Sequence, residues 1–159
     1  MKIKVGFGYD VHRMEKDQPF WLGGIHIPYE YGAAGHSDAD VLIHVICDAL
    51  LGAANMRNIG YHFSDKDPKY KGIDSKILLR EVVRMISEAG YTIGNIDSTV
   101  CLQQPKLNPY IPEMKAALAP ILNTSQEDIS IKATTSELMG FVGRKEGIAA
   151  YAVVLLEKN

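Results

Sequence analysis

The chain has 159 residues, of which 47% are hydrophobic and 23% charged, a balance typical of a globular protein with a buried core. Its formal net charge of -2 provides no basic field for a polyanion, which excludes nucleic acid as an expected partner. No run approaches the roughly 18 apolar residues of a membrane span, and no secretory hydrophobic segment opens the chain. We therefore expect a single cytoplasmic domain over residues 1–159, with no membrane partner.

The first part of the chain predicts a strand followed by a hairpin. Residues 2–9 alternate apolar and polar side chains as a strand does, and they run into the segment GYDVHR. Residues 19–30, PFWLGGIHIPYE, predict two short strands joined at Gly23 and Gly24 by a turn or bulge.

The segment HSDADVLIHVICDALLGAANM predicts a helix over residues 37–55. Ser37 or Asp38 can cap its first turn by accepting a hydrogen bond from a backbone N–H. The predicted buried stripe of this helix comprises Val41, Leu42, Val45, Ile46, Ala49 and Leu50.

The rest of the chain mixes loops, helices and strands. Residues 57–74 show no periodicity, and loops of this length in compact domains are usually functional or mobile. Residues 74–90 predict a helix that ends at Gly90 and buries Ile77, Leu78, Val82, Met85 and Ile86. The remaining predicted elements are a strand at 91–104, a short helix at 112–122 and strands at 128–135 and 147–158. This pattern favours an α+β fold with one mainly antiparallel sheet and helices packed on one face.

The two cysteines, Cys47 and Cys101, lie in apolar surroundings without the C-x-x-C spacing of metal or redox motifs. We expect both to be buried free thiols, which fits a reducing compartment. A disulfide framework is therefore not expected.

The segment GYDVHR raises the prospect of a metal site. Asp10 and His12 share a face of an extended chain because alternate side chains of a strand point the same way. His44, on the predicted helix, is the third ligand that we nominate. Two histidines and one carboxylate suit zinc and leave a fourth position open, as a catalytic metal requires. Taken singly, a D-x-H pair is more often chance, and a histidine among aspartates usually marks a solvated helix face.

A histidine ligand also needs an acceptor that orients its second ring nitrogen. Asp40, His44 and Asp48 are spaced four residues apart, so they lie along one face of the predicted helix. We predict that Asp48 orients His44, with Asp40 as the alternative.

Two further segments carry side chains suited to phosphate. His36 and Ser37 stand at a predicted helix N-terminus, where backbone N–H groups and the helix dipole favour an anion, although Ser37 can equally be a simple cap. In KATTSELMGFVGR, Glu137 offers a hard oxygen ligand for Mg²⁺ and Arg144 a cationic clamp for phosphate. A capping box formed by Thr134 and Glu137 is the structural alternative.

Seven segments follow one another along the chain: GYDVHR, GGIHIP, HSDADVLIHVICDALLGA, IGYHFSDKDPKYKGIDS, GYTIGNID, QPKLNPYIP and KATTSELMGFVGRKEGIAAYAV. This series resembles the 2-C-methyl-D-erythritol 2,4-cyclodiphosphate synthase family of the non-mevalonate isoprenoid pathway, over essentially the whole chain. The resemblance implies a phosphorus-oxygen lyase that converts 4-diphosphocytidyl-2-C-methyl-D-erythritol 2-phosphate to the 2,4-cyclodiphosphate and releases CMP. It also implies a homotrimer with active sites between subunits.

The resemblance also implies a role for individual residues. Asp10, His12 and His44 match ligands of Zn²⁺ or another divalent ion, and Glu137 matches a ligand of Mg²⁺ or Mn²⁺ on the substrate diphosphate. His36 and Thr135 match catalytic positions. The implied nucleotide-binding residues are Leu102, Pro105, Lys106, Leu107, Asn108, Thr134 and Thr135. The implied positions for the remainder of the substrate are Ser37, Asn58, Ile59, Gly60, Phe63, Asp65, Phe141 and Arg144.

Two positions depart from the family pattern. Asn58 stands where an aspartate is usual, and Ser64 stands where a proline is commoner. Asn58 keeps an acceptor for the diol hydroxyls but loses the charge. Two other functions remain open from the residues: a zinc-dependent phosphohydrolase with water at the open metal position, and a zinc-stabilised trimeric binding protein that leaves its ligand unchanged.

Overall fold

Seven strands occur in residues 2–158, the part of the chain that the computed structural model describes. They are β1 (Lys2–Lys16), β2 (Phe20–Leu22), β3 (Ile25–Ile27), β4 (Tyr31–Ala34), β5 (Thr92–Cys101), β6 (Ile129–Thr134) and β7 (Gly147–Lys158). Five of them form one sheet in the order β4-β1-β7-β5-β6, in which β5 and β6 are the parallel pair, while β2 and β3 form a separate hairpin. The prediction of one mainly antiparallel sheet is thereby confirmed.

The helices of these residues are α1 (Val41–Ala53), α2 (Ile59–His62), α3 (Ser75–Glu88), α4 (Ile111–Leu122) and α5 (Gly140–Gly143). Helix α1 packs on β1 and β7, and α3 packs against α1 and α4. The helical layer thus covers one face of the sheet, and the core lies between the two layers. Within the described residues, no helix has the length and apolar character needed to cross a membrane.

Helix α1 begins later than the sequence predicts. Its N-cap is Asp40, whose carboxylate accepts a 3.0 Å hydrogen bond from the backbone N–H of Ile43. The predicted caps, Ser37 and Asp38, are wrong, because both lie in the turn that precedes the helix. Their side chains make the contacts with the site that are described below.

The Asp40 carboxylate also holds the β2–β3 hairpin. It accepts hydrogen bonds of 3.0 and 2.7 Å from the backbone N–H groups of Gly23 and Gly24. These glycines have φ values of 60° and 80°, so they form the predicted two-residue turn in a conformation that favours glycine. Asp40 is fully buried, and burial raises the pKa of its carboxyl even though the three N–H donors oppose this shift. One side chain thereby joins the hairpin to the start of α1.

Helix α3 ends as predicted, with Gly90 in a left-handed conformation just beyond the C-cap Ala89. The correctly predicted buried positions are Leu78, Val82 and Ile86, and Met85 is half-buried. Ile77 was expected to be buried but is 51% exposed. The buried face is rotated toward Leu79 and Val83 because α3 contacts both α1 and α4.

Both cysteines are free thiols. Cys47 is buried on α1, and burial raises the pKa of its thiol well above the ordinary value. Cys101, at the end of β5, is only partly buried, so the predicted burial is wrong there. Cys101 follows the buried Val100, so it points to the face of the sheet opposite the core.

Two glycines allow α1 to lie very close to β1. A Cβ atom at Gly6 would lie 1.9 Å from the Ala49 carbonyl oxygen, and one at Gly8 would lie 2.3 Å from the Val45 carbonyl oxygen. Any side chain at these positions would therefore push the helix away from the strand. This close approach brings His44 of α1 toward the part of β1 that follows Gly8.

We expect Gly8→Ala to lower the free energy of unfolding by about 1–3 kcal/mol, because the added methyl group collides with the helix backbone. Gly52→Ala is the matched control, since the nearest atom to its added Cβ is 4.0 Å away. The control is expected to raise the free energy of unfolding by about 0.5–1 kcal/mol, the usual gain of alanine over glycine in a helix. Urea unfolding at one fixed protein concentration measures both variants. Equal changes in the two would contradict the close packing described here.

Candidate metal centre

Three side chains from β1 and α1 meet at one point. Asp10 and His12 share a face of β1, and His44 reaches them from α1, as the sequence predicts. Asp10 Oδ2 lies 3.2 Å from His12 Nε2 and 3.3 Å from His44 Nδ1, and the two nitrogen atoms are 3.2 Å apart. All three side chains are partly buried.

The triangle formed by these atoms has the right size for a tetrahedral cation. Ligand bonds of about 2.0–2.1 Å, as zinc makes with imidazole and carboxylate, separate neighbouring ligand atoms by about 3.3 Å. The three observed distances match that separation. The triangle therefore fits one face of a tetrahedron, and its fourth corner is open to a ligand that is not part of the protein. Asp10, His12 and His44 are the one group of potential metal ligands that meets within the described residues.

The charges at this point also favour a cation. Burial opposes ionisation of Asp10, but hydrogen bonds and charge from His12 and His44 outweigh it and hold the pKa of the carboxyl well below its usual range. Burial likewise disfavours the charged form of His44, yet Asp10 and the nearby carboxylates of Asp40 and Asp38 raise the pKa of its ring. The carboxylates therefore place an excess of negative charge next to the two imidazoles.

Serine hydroxyls surround the second ring nitrogen of His44. Its Nε2 atom lies 2.9 Å from Ser75 Oγ and 3.1 Å from Ser37 Oγ. Ser75 is the first residue of α3 and is fully buried. No sequence pattern marked Ser75, which looked like an ordinary residue of a helix start.

The predicted orienting role of Asp48 is wrong in this structure. Its carboxylate accepts a 2.7 Å hydrogen bond from the backbone N–H of Ile59, at the start of α2. The alternative, Asp40, is wrong as well because its oxygens bind the hairpin and cap α1. Helical spacing correctly placed these carboxylates near His44 but could not tell which neighbouring backbone they would bind.

A cavity of about 480 Å³ opens beside the three candidate ligands. Its lining includes the predicted residues His36, Ser37, Asp48, Asn58, Ile59, Gly60, Phe63 and Asp65. It also includes Gly35, Tyr70 and Leu78, which were not predicted as site residues from the sequence. The folding of the chain brings them to the cavity. No lysine or arginine is among its described lining residues.

The segment 57–74, predicted as a loop, contains α2 and one 3₁₀ turn. The C-terminal end of this segment is hydrogen-bonded to the residues that precede α1. Gly72 N–H donates to the His36 carbonyl at 2.7 Å, and Asp38 N–H donates to the Ile73 carbonyl at 3.1 Å. These bonds hold the mouth of the cavity together from two distant parts of the chain.

A second cavity, of about 260 Å³, collects the predicted nucleotide-binding residues. It is lined by Leu102, Pro105, Lys106, Leu107, Asn108, Ala133, Thr134 and Thr135. The two segments meet because β5 and β6 are parallel, with Cys101 opposite Thr134, so that both strands end at the same edge. This nucleotide-side cavity shares no lining residue with the metal-side cavity.

Three other predicted residues lie between β6 and β7, outside both cavities. Glu137 has a left-handed backbone, with φ of 54°, and its N–H donates to Thr135 Oγ1 at 3.3 Å, so the Thr134–Glu137 capping box does not form. Arg144 pairs with the carboxylate two residues further on. Phe141 lines a small third cavity next to a candidate metal ligand, His12. One chain therefore gathers most of the predicted residues into two separate cavities and leaves these three outside them.

The YgbB family model matches residues 3–157. The chain belongs to this family. A protein of Parabacteroides distasonis named 2-C-methyl-D-erythritol 2,4-cyclodiphosphate synthase is 65% identical to it over 158 residues, which are 99% of this chain and 98% of that protein. The resemblance noted from the sequence is thereby confirmed.

Solved structures give the same result. The bifunctional IspDF of Campylobacter jejuni matches with a TM-score of 0.95 and 39% identity, over 99% of this chain but 43% of that longer one. A 2C-methyl-D-erythritol-2,4-cyclodiphosphate synthase in its CDP-bound form matches with a TM-score of 0.89 and 34% identity, over 97% of this chain and 100% of that one.

We expect the affinity of this centre for zinc to rise with pH. A cation must displace the proton from His44, and the raised pKa of this ring means that the proton competes even above the ordinary value of 6.5. Displacement of one proton makes the apparent affinity increase by up to about tenfold per pH unit below that raised pKa. Competition with a chromophoric zinc chelator between about pH 6 and about pH 8 measures the slope.

His44→Ala is expected to abolish zinc binding while the protein still folds. His26→Ala is its control, because His26 is an exposed residue of the hairpin and should leave both affinity and slope unchanged. Full zinc occupancy in the His44 variant, or a flat pH profile in the unmodified protein, would contradict the assignment.

Proposed function

We propose that this chain is a 2-C-methyl-D-erythritol 2,4-cyclodiphosphate synthase of non-mevalonate isoprenoid biosynthesis. It converts 4-diphosphocytidyl-2-C-methyl-D-erythritol 2-phosphate to 2-C-methyl-D-erythritol 2,4-cyclodiphosphate and CMP, as a phosphorus-oxygen lyase. The observation that carries the proposal is the metal-sized triangle of Asp10, His12 and His44, opening into a cavity of the size of a small substrate in a chain of this family. The reaction belongs to one cytoplasmic domain, which fits the two free thiols and the family match over residues 3–157.

The chemistry determines what the residues must do. The 2-phosphate of the substrate attacks the β-phosphorus of its own diphosphate, and the bond to CMP breaks. Both reacting groups are anionic, so the barrier includes charge repulsion and the ordering of a flexible molecule. A phosphate is already a nucleophile, and the chain therefore needs no activated serine or cysteine.

The metal-side cavity supports binding of a phosphate through a cation. Asp10, His12 and His44 would hold Zn²⁺ or another divalent ion, which when bound supplies Lewis-acid polarisation of phosphate oxygens. Glu137 would hold Mg²⁺ or Mn²⁺ together with the diphosphate. Because the lining that the structure describes has carboxylates but no lysine or arginine, the protein alone would repel a phosphate there.

Most of the other predicted residues divide between the two cavities, while Phe141 and Arg144 lie outside both. Ser37, Asp65 and the segment 58–60 would bind the methylerythritol phosphate part, with the Asn58 amide accepting from a diol hydroxyl. His36 would donate to phosphate oxygens as charge develops on them, and Thr135 would do the same from the nucleotide side. The remaining contacts to the methylerythritol phosphate part would come from Phe63, Phe141 and Arg144. The cytidine part would bind Leu102, Pro105, Lys106, Leu107, Asn108 and Thr134.

We propose that the enzyme is a homotrimer with its sites between subunits. The lining residues described for the two cavities of one chain do not overlap, which supports a site completed by a second copy. The sheet face opposite the helices supports this, because it exposes the apolar side chains of Ile3, Val5, Phe7, Tyr9, Val11, Tyr151 and Val153. Contiguous exposed apolar surface of this kind marks interaction sites.

A phosphorus NMR time course with the cytidyl substrate tests the function. We expect resonances of a cyclic diphosphate and of CMP to grow together, and to stop growing when a chelator removes divalent ions. Inorganic phosphate or a linear product would instead support a phosphohydrolase. A substrate that stays unchanged in the metal-loaded protein would support a binding protein, and either outcome contradicts the proposal.

Mixed oligomers test the shared site. His44→Ala disables the metal side and Lys106→Ala weakens the nucleotide side, so each variant alone should have low activity at subsaturating substrate. When the two are denatured and refolded together in equal amounts, about a quarter of the interfaces combine two intact halves and should regain activity. Activity that stays at the level of the separate variants would show that each site lies within one chain. Mixing His44→Ala with itself by the same procedure is the control.

A further inference from the structure

The carboxylate of Asp38 and the hydroxyl of Ser75 form a chain of hydrogen bonds that ends at the candidate metal ligand His44. Asp38 Oδ1 lies 2.5 Å from Ser75 Oγ, and Ser75 Oγ lies 2.9 Å from Nε2 of His44. The opposite ring nitrogen, Nδ1, faces Asp10 and His12. The line therefore runs from the turn before α1, through the first residue of α3, into the metal centre.

The direction of each hydrogen bond follows from the groups involved. Ser75 has one hydroxyl proton, and an ionised Asp38 can only accept, so this proton points to the carboxylate. The lone pairs of the Ser75 oxygen then accept a hydrogen bond from the N–H at Nε2 of His44. With its proton on Nε2, a neutral His44 has its free lone pair on Nδ1, the atom that faces the centre.

The fold holds Ser75 in this position from two sides. The backbone N–H of Ser75 donates to Asp38 Oδ2 at 2.9 Å, so one carboxylate binds both the amide and the hydroxyl of the same residue. Ser75 is fully buried, and solvent does not compete for its hydroxyl. Capping of α3 does not explain this arrangement, because the cap is Asp74, which accepts from Lys76 N–H at 2.8 Å.

We propose that Ser75, held by Asp38, is a positioning residue that keeps the ring proton of His44 on Nε2 and so presents Nδ1 to the metal. This inference rests on the proposed metal site. It also leaves Ser37 free for the substrate. Ser37 Oγ accepts from the Ala39 N–H at 3.2 Å, and its own hydroxyl proton is available to a phosphate oxygen at the cavity wall.

Zinc affinity of the full chain tests the proposal. Partners that orient a histidine ligand typically change metal affinity by about 10–100-fold, and we expect a loss of that size in Ser75→Ala. Ser98→Ala is the matched control, since Ser98 is also a buried serine, whose hydroxyl donates to the Ser130 carbonyl inside the sheet. The control should bind zinc as the unmodified protein does. An equal affinity in Ser75→Ala and the unmodified protein, or an equal loss in both variants, would overturn the proposal.

A second test uses the unmodified protein and therefore holds even if Ser75→Ala does not fold. It is nitrogen-15 NMR of the protein labelled at histidine and loaded with zinc. We expect His44 to carry its proton on Nε2, with a ring N–H signal that exchanges slowly with water. An unprotonated Nε2 would overturn the proposal, because Ser75 would then be donating instead of accepting. In folded Ser75→Ala the same signal should exchange faster, and an unchanged exchange rate would count against the proposal.

These outcomes separate the inference from the function on which it rests. If the unmodified protein bound no zinc, the proposed metal site itself would fail. If it bound zinc and Ser75→Ala bound it equally well, only the role of Ser75 would fail.

Discussion

The contact between α1 and β1 is the constraint on which the candidate site depends. Gly6 and Gly8 let the helix backbone approach the strand to a distance that no side chain would permit. Asp10 and His12 lie just beyond these glycines on the strand, and His44 lies on the facing helix. The 3.2–3.3 Å separations of the three ligand atoms are therefore a consequence of backbone packing rather than of flexible side chains. Asp40 stabilises the same contact by fixing where α1 begins.

Electrostatics explain why such a centre is needed. The proposed substrate carries several phosphate charges. Among the described residues, the lining of the metal-side cavity includes Asp10, Asp48 and Asp65 and no basic side chain other than histidine. Lys106, a permanent cation, lies in the nucleotide-side cavity instead. A divalent ion at the three ligands would reverse the sign of the local field where the phosphates react. The carboxylates that would repel a phosphate from this cavity would attract the cation.

The sequence predicts some parts of this arrangement for clear physical reasons. Strand periodicity places Asp10 beside His12, and the apolar stripe of α1 identifies the helix that carries His44. The hairpin turn at Gly23 and Gly24 follows from the backbone conformation that two adjacent glycines allow. The nucleotide-side residues came from the resemblance to a family, since no local pattern connects Lys106 with Thr134.

The wrong predictions concern residues whose local sequence allows several contacts, so that tertiary structure decides which contact forms. Asp38, Asp40 and Asp48 are similar side chains within eleven residues, and only the folded chain shows that they bind Ser75, the hairpin and α2, respectively. Ser75 lies 31 residues from His44, so its contact depends on how α3 meets the turn before α1. Ile77 lies on the exposed side of its helix, against the prediction, because contacts with α1 and α4 rotate the buried face of α3 toward Leu79 and Val83.

We expect the open corner of the metal centre to receive a phosphate of the substrate. Anomalous diffraction at the zinc edge, from crystals of the protein grown with zinc and CDP, measures this directly. We expect one zinc peak within about 2.0–2.2 Å of Asp10 Oδ2, His12 Nε2 and His44 Nδ1, with a phosphate oxygen of the nucleotide as the fourth ligand. A zinc ion bound elsewhere, or one whose fourth ligand is water while CDP occupies the nucleotide-side cavity, would contradict it.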